Sequence, residues 1–78
     1  MSDIKRVLSS LLTLGITSEE RAINVDELAN RVGLNINELS ISLSELIKLG
    51  HVKKIFFKGR ECFYLTNTGI IAACSIYS

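Results

Sequence analysis

The sequence predicts a single α+β domain over residues 1–78, with helices before a β-hairpin and one further helix after it. Apolar residues recur at helical spacing as far as Gly50, two segments rich in β-branched and aromatic residues flank Lys58-Gly59, and helical spacing returns after Thr66. With 10 Ile, 11 Leu and 4 Val, the chain can build a core without disulfide or metal support. A chain of 78 residues has room for one such core and not for two.

The first helix is predicted over residues 2–14. Ser2 or Asp3 can cap its start, and Gly15 can end it. Its apolar positions recur at helical spacing and are Ile4, Val7, Leu8, Leu11 and Leu12. A polar stretch then leads to residues 22–25, which could add a short edge strand or serve only as a connection.

A second helix is predicted over residues 25–32. Asn24 followed by Glu27 has the spacing of a capping box, in which the cap side chain accepts from a backbone N–H three residues later and the glutamate reaches back to the cap. Asparagine takes the place of the usual serine or threonine. Gly33 can end this helix, because glycine adopts the left-handed conformation of a helix C-terminus at little cost.

A third helix is predicted over residues 36–49 by the same signal, since Asn35 and Glu38 form a second capping-box pattern. Gly50 can end it. The apolar stripe that we expect to face the core consists of Ile36, Leu39, Leu43, Leu46 and Ile47. The second and third helices are joined by "GLN", so they are predicted to form a tight helix-turn-helix.

The predicted hairpin spans residues 52–66, and its register stays open. A turn of two or four residues pairs Val52 with Leu65, whereas a turn of three residues pairs Ile55 with Phe63. Both faces of the hairpin are half apolar, so the pattern does not decide between them. Either register leaves an aromatic side chain away from the core.

The last helix is predicted over residues 67–77 and is apolar nearly all round. One of its stripes consists of Ile70, Ala73, Cys74 and Tyr77. Ile71, Ala72 and Ile76 fall on the opposite side and need a cover of their own. The expected cover is a second copy of the chain, through a two-fold interface that uses this helix and could include the first. The first helix and the hairpin could instead cover both sides.

Charge is unevenly distributed along the chain. Residues 1–47 hold four basic and seven acidic side chains, a net charge of −3, whereas residues 48–78 hold five basic and one acidic, a net charge of +4. The basic residues of the second part are Lys48, Lys53, Lys54, Lys58 and Arg60. The predicted hairpin therefore favours an anionic partner.

Several classes of function lack support in the sequence. No histidine stands with a pair of carboxylates, no glycine-rich loop could hold phosphates, and no Cys or His spacing suggests a metal. We therefore expect neither an enzyme nor a cofactor, and no small-molecule ligand is evident. Cys62 and Cys74 are expected to be small core residues in a reducing compartment. Neither a signal peptide nor a spanning helix is expected, which predicts a cytoplasmic protein without membrane contact.

The order of elements and two motifs resemble the winged helix-turn-helix domains of small bacterial, archaeal and viral transcriptional regulators. The segment "VDELANRVGLNINELSISLSELIKLGHV" follows their pattern of a helix, a glycine turn and a second helix that closes on Leu-Gly and a β residue. "FYLTNTG" is similar to the Tyr-x-Leu-Thr-x-x-Gly segment that ends the wing, which is the family's β-hairpin, and begins the last helix. The resemblance spans Asn24 to Gly69 and implies a DNA-binding regulator.

The resemblance also implies that the third helix is the recognition helix, which lies in the DNA major groove. Its exposed stripe, the candidate for base readout, is Asn37, Ser40, Ile41 and Ser44. Asparagine pairs well with adenine, serine can donate or accept, and isoleucine can contact a thymine methyl. Unlike many recognition helices, this one has a single cation, Lys48 in its last turn, while Glu38 and Glu45 repel phosphate.

Phosphate binding supplies most of the affinity for DNA and is therefore expected from the wing. The candidate residues are Lys48, Lys53, Lys54, Lys58 and Arg60. We expect a small homodimeric transcriptional regulator that binds double-stranded DNA sequence-specifically, with two recognition helices in successive major grooves about 34 Å apart. The alternative is a winged helix that binds another protein through Ile41, the outer hairpin aromatics and the last helix, with no DNA readout.

Overall fold

The computed structural model describes the backbone of residues 3–77 and the side chains of residues 3–75. The helices are α1 (Asp3–Thr13), α2 (Val25–Val32), α3 (Ile36–Lys48) and α4 (Asn67–Tyr77), and the strands are β1 (Ile23–Asn24), β2 (Val52–Phe57) and β3 (Arg60–Leu65). One short 3₁₀ turn, Glu19–Arg21, precedes β1. The predicted α+β class and element order are confirmed, and residues 23–24 form the edge strand that the sequence left open.

Both predicted asparagine caps are confirmed, although their glutamates act differently from a full capping box. The backbone N–H of Glu27 donates to Asn24 Oδ1 at 2.9 Å, and that of Glu38 donates to Asn35 Oδ1 at 2.8 Å. The Glu27 carboxylate lies 3.6 Å from Arg31 Nη2, one turn along α2. The Glu38 carboxylate accepts from the side-chain amide of Asn35. Each asparagine thus satisfies one N–H of a helix end that lacks an intrahelical partner.

The C-terminus of α2 is capped twice. Gly33 has a left-handed backbone with φ of 80°, and its N–H donates to Ala29. Arg6 of α1 donates from Nη2 to the carbonyl oxygen of Val32 at 2.8 Å. Because a helix leaves its last carbonyls without partners, this long-range bond both caps α2 and ties it to α1.

The three strands form an antiparallel sheet in the order β1-β3-β2. Val52 pairs with Leu65 in the hairpin, and the two central turn residues, Lys58 and Gly59, have φ values of 53° and 78°. Positive φ at both central positions defines the type I′ turn, whose twist matches that of antiparallel strands. The register is therefore the one that the sequence associated with a turn of two or four residues, here two.

The core lies between the helices and one face of the sheet. Its fully buried large side chains are Val7, Leu11, Leu28, Leu39, Leu43, Leu46 and Leu65. The predicted core stripe of α3 is confirmed at Leu39, Leu43 and Leu46 but is wrong at Ile36, the first residue of the helix, which is 46% exposed. Ser42 is buried instead, because it lies on the same side of the helix as Leu39 and Leu46.

The last helix packs on α1 through part of its apolar surface. Ala73 is fully buried, and Ile70 and Ala72 are half-buried against the core. Cys74 is exposed, so its predicted place in the core is wrong, whereas Cys62 is buried as predicted. Ile71 is 66% exposed. The side chain of Ile76, the third residue predicted for a dimer interface, lies outside the described residues.

No helix among residues 3–77 combines the length and the apolar character needed to cross a membrane.

Candidate functional site

The outer face of α3 carries all four residues predicted to contact bases, and each of them is exposed: Asn37, Ser40, Ile41 and Ser44. They do not share one environment. Ser40 and Ser44 line a shallow depression of about 100 Å³ together with Lys54 of β2 and Glu61 of β3. The sheet therefore presents the face that contains Lys54 toward the serine side of the recognition helix.

Ile41 lies on the other side of this helix, toward the start of α1. It borders a second depression, of about 190 Å³, in which the charged residues are Asp3, Glu38 and Glu45. Three carboxylates around an exposed isoleucine disfavour the close approach of a phosphate. The recognition helix thus has a side facing the hairpin where the two charges, Lys54 and Glu61, balance, and an acidic side facing α1.

The five residues predicted to contact phosphate are all exposed, but the hairpin divides them. Lys54 pairs with Phe63 across the strands and lies on the α3 side. Lys53, opposite Tyr64, and Arg60, opposite Phe57, belong to the other face, because side chains alternate along a strand. Lys58 occupies the turn, and Lys48 ends α3.

One of these cations has an acidic partner. Lys54 Nζ lies 3.8 Å from Glu61 Oε2, with both side chains about half exposed, and such solvent-accessible pairs contribute little energy. Among the described residues, Lys48, Lys53, Lys58 and Arg60 have no carboxylate within 4.0 Å. Their charges are therefore free to meet an external anion.

A larger groove lies on the opposite face of the hairpin, and it extends from the turn cations Lys58 and Arg60 to α2. It has a volume of about 540 Å³, and its charged lining consists of Arg21, Arg31, Lys58 and Arg60 together with Glu27, which pairs with Arg31. Its apolar floor includes Ile16 and Cys62, each 6% exposed. Sequence analysis missed Arg21 on this surface, because only the packing of β1 against β3 brings it close to the hairpin turn.

These features define a winged helix-turn-helix domain. Helices α2 and α3 form the helix-turn-helix, and the β2–β3 hairpin is the wing. The outer face of α3, the recognition helix, is exposed beside the wing. Comparison with known proteins agrees. Solved structures match over nearly the whole chain, whereas no protein-family model and no curated protein sequence matches it.

The DNA-binding fragment of TubR from Clostridium botulinum is 25% identical, with a TM-score of 0.83 over 97% of this chain and 95% of that one. A candidate DNA-binding protein of Ralstonia eutropha is also 25% identical, with a TM-score of 0.81 over 96% of this chain and 94% of its own length. The SSV1 protein F-93, at 22% identity, shares the fold with a TM-score of 0.76 over 97% of this chain and 82% of that one.

Proposed function

We propose that this chain binds double-stranded DNA sequence-specifically as a small homodimeric transcriptional regulator. One observation carries the proposal: Ser40 and Ser44 of the recognition helix and Lys54 of the wing line the same depression. A base-reading face and a phosphate-binding face must be adjacent if one duplex is to meet both. The DNA-binding TubR fragment, whose fold is similar, supports this reading.

In this proposal α3 enters the major groove with its serine side toward the wing. Asn37 donates to and accepts from adenine, and Ser40 and Ser44 hydrogen-bond to neighbouring base edges. Ile41 contacts a thymine methyl at the edge of the interface. The acidic side of the helix, around Glu38 and Glu45, repels phosphate and so restricts the duplex to the wing side.

The distribution of cations fits a wing that lies between two phosphate strands. Lys54 is on one face of the ribbon, while Lys53 and Arg60 are on the other and Lys58 is at its end. A ribbon with positive charge on both faces can neutralise a strand on each side of a groove. Lys48, at the end of α3, would contact the phosphates beside the major groove.

The homodimer is proposed to form through α4. Ile71 is 66% exposed, which is unusual for a large aliphatic residue on an otherwise apolar helix. A two-fold axis next to α4 would place Ile71 in the interface and the remaining exposed part of Ala72 at its edge, on an element distinct from α3 and the wing. The two recognition helices could then meet successive major grooves of one duplex.

A protein-interaction module remains the second candidate, and one observation favours it. Ile41 is 64% exposed among three carboxylates, an arrangement that suits a partner with apolar and basic side chains. Protein binding through Ile41 would not explain why Ser40, Ser44 and Lys54 line the same depression.

Selection of duplexes from a random-sequence pool tests the proposal. The wild-type chain should enrich one shared motif that occurs as two half-sites about one helical turn apart. Asn37→Ala should relax the preference at one base pair while still retaining duplexes. Enrichment of no motif, together with no retention of any duplex, would favour the protein-interaction module. Enrichment of single half-sites would count against the homodimer.

A further inference from the structure

Two adjacent phenylalanines are exposed at the end of the wing. Phe56 is 68% exposed and Phe57 is 61% exposed, whereas Phe63, the third phenylalanine of the chain, is 5% exposed. Both residues directly precede the Lys58-Gly59 turn. Because both rings are exposed, neither contributes to the core, and each is accessible to a binding partner.

The register places the two rings on opposite faces. Phe56 pairs with Glu61 and shares its face with Lys54, two residues earlier, which lines the depression beside Ser40 and Ser44. Phe57 pairs with Arg60 and lines the larger groove on the other face. Phe56 is therefore the aromatic residue on the same side of the wing as the recognition helix.

Cations accompany both rings. Lys54 Nζ lies 5.9 Å from the centroid of the Phe56 ring, and Lys58 Nζ lies 5.4 Å from that of Phe57. Lys54 is shared with Glu61 in a solvent-exposed pair at 3.8 Å, so the Phe56 ring has one partly compensated ammonium group beside it, while Lys58 at the turn has no carboxylate partner among the described residues. An apolar ring beside such cations suits a ligand with an apolar, stacked interior and an anionic border. Duplex DNA has this chemistry, with stacked bases between two lines of phosphates.

The dimensions of the wing decide how it can enter the duplex. The minor groove of B-form DNA is about 6 Å wide, whereas a β-ribbon with side chains on both faces is about 10 Å thick. The wing of this chain, with a phenylalanine on each face, cannot enter that groove unless the groove opens. Apolar side chains that insert between base pairs unstack them, widen the minor groove and kink the duplex toward the major groove.

We propose that Phe56 inserts between two base pairs in the minor groove beside the recognition helix and kinks the DNA. This inference rests on the proposed DNA binding and specifies how the wing engages the duplex. Phe57, on the opposite face, stays outside the base stack. The chain should therefore prefer duplexes with a TA or CA step under the wing over stiff A-tracts, because pyrimidine–purine steps unstack easily.

Fluorescence energy transfer between the two ends of a duplex of about 30 base pairs, roughly three helical turns, measures the kink. The pool-selected duplex would be used, with a TA step or an A-tract under the wing. Phe56→Ala is the test variant and Phe57→Ala is its matched control, since the two residues are neighbours of the same type and similar exposure. Phe56→Leu retains an apolar side chain, and circular dichroism checks that every variant is folded.

We expect the wild-type chain, Phe57→Ala and Phe56→Leu to shorten the end-to-end distance and to favour the TA duplex. Phe56→Ala should bind about tenfold more weakly, the loss typical of one aromatic–base contact, and leave the duplex straight. Binding without bending by the wild type, or equal effects of Phe56→Ala and Phe57→Ala, would overturn the inference and leave DNA binding intact. Tighter binding to the single strands than to the duplex would also overturn it. Failure of every variant to bind any duplex would instead overturn the proposed function.

Discussion

The backbone at Gly69 approaches the carbonyl oxygen of His51 so closely that a Cβ at position 69 would lie 1.9 Å from that oxygen. The same carbonyl accepts a hydrogen bond from the N–H of Thr66 at 3.0 Å. Thr66 and Thr68 also donate from their hydroxyls to the carbonyl of Gly50, at 2.6 and 2.8 Å. The Thr-x-x-Gly segment thus joins the start of α4 to the end of the recognition helix, and only glycine fits its last position.

Gly69→Ala should therefore destabilise the domain. Alanine in place of glycine within a helix ordinarily stabilises it by up to about 1 kcal/mol, but here the added methyl group meets backbone. We expect the free energy of unfolding to fall by about 2–3 kcal/mol, the cost of overpacking a rigid site. Urea denaturation followed by circular dichroism measures it. Cys74→Ala, at an exposed position of the same helix, should change stability by less than about 0.5 kcal/mol. A Gly69→Ala variant as stable as the wild type would contradict the close contact.

Substitution of Asn35 and of Asn37 by alanine should separate an effect on stability from an effect on DNA binding. Asn35 caps α3, so Asn35→Ala should lower the free energy of unfolding by about 1 kcal/mol. Asn37 is exposed on the recognition face, so Asn37→Ala should leave stability within about 0.5 kcal/mol of wild type and weaken binding to the selected duplex by about tenfold. Thermal unfolding and fluorescence anisotropy measure the two effects. Loss of stability in Asn37→Ala without loss of affinity would assign this residue a structural role.

Arg6 is predicted to be a structural cation. Arg6→Ala removes the hydrogen bond to the Val32 carbonyl and should lower the free energy of unfolding by about 1–2 kcal/mol, as for a bond to a charged donor. Lys5→Ala removes the same charge from the neighbouring exposed position of α1 and should have an effect below about 0.5 kcal/mol. Chemical denaturation of both variants at equal salt measures the difference. Equal stabilities would show that the bond adds nothing to the cap that Gly33 provides.

Ile71 and Ile41 form a matched pair for the proposed dimer, because their exposures are 66% and 64%. Ile71→Lys places a charge in the proposed α4 interface, and light scattering should then give the mass of a single chain. Ile41→Lys, on the recognition helix, should leave the mass at that of two chains. A wild-type mass of one chain at micromolar concentration would contradict the homodimer, and an unaffected dimer in Ile71→Lys would place its interface elsewhere.

Local signals predicted much of the fold. The starts of α2 and α3 follow from Asn24 and Asn35, whose side chains reach only three residues along the chain. The hairpin register could not be predicted, because it depends on long-range pairing: β1 adds to β3 with Ile23 opposite Phe63, which directs that face of the sheet to the core. Ser42 was missed for a similar reason, since its burial is set by the neighbouring leucines and not by its own polarity.

The candidate site was less predictable than the fold. The exposure of the α3 stripe follows from helical periodicity, and the structure places it as expected. Its division into a side near Lys54 and a side near Asp3 required the packing of the sheet and of α1 on the recognition helix. The pairing of Lys54 with Glu61 likewise depends on the register. The number of cations on the wing follows from the sequence, but which of them lack a carboxylate partner does not.

The measurement that tests the central claim most directly is the salt dependence of binding to the selected duplex. The wild-type chain should show a steep fall of log K with log of salt concentration, and Lys58→Ala and Lys53→Ala should each reduce that slope by about one. Lys5→Ala, on α1, should leave the slope unchanged. These results are expected if Lys58 and Lys53 of the wing each contact a phosphate. A slope that is the same in Lys58→Ala, Lys53→Ala and the wild type, or wild-type binding that does not depend on salt, would contradict the assignment of the wing to phosphate contact.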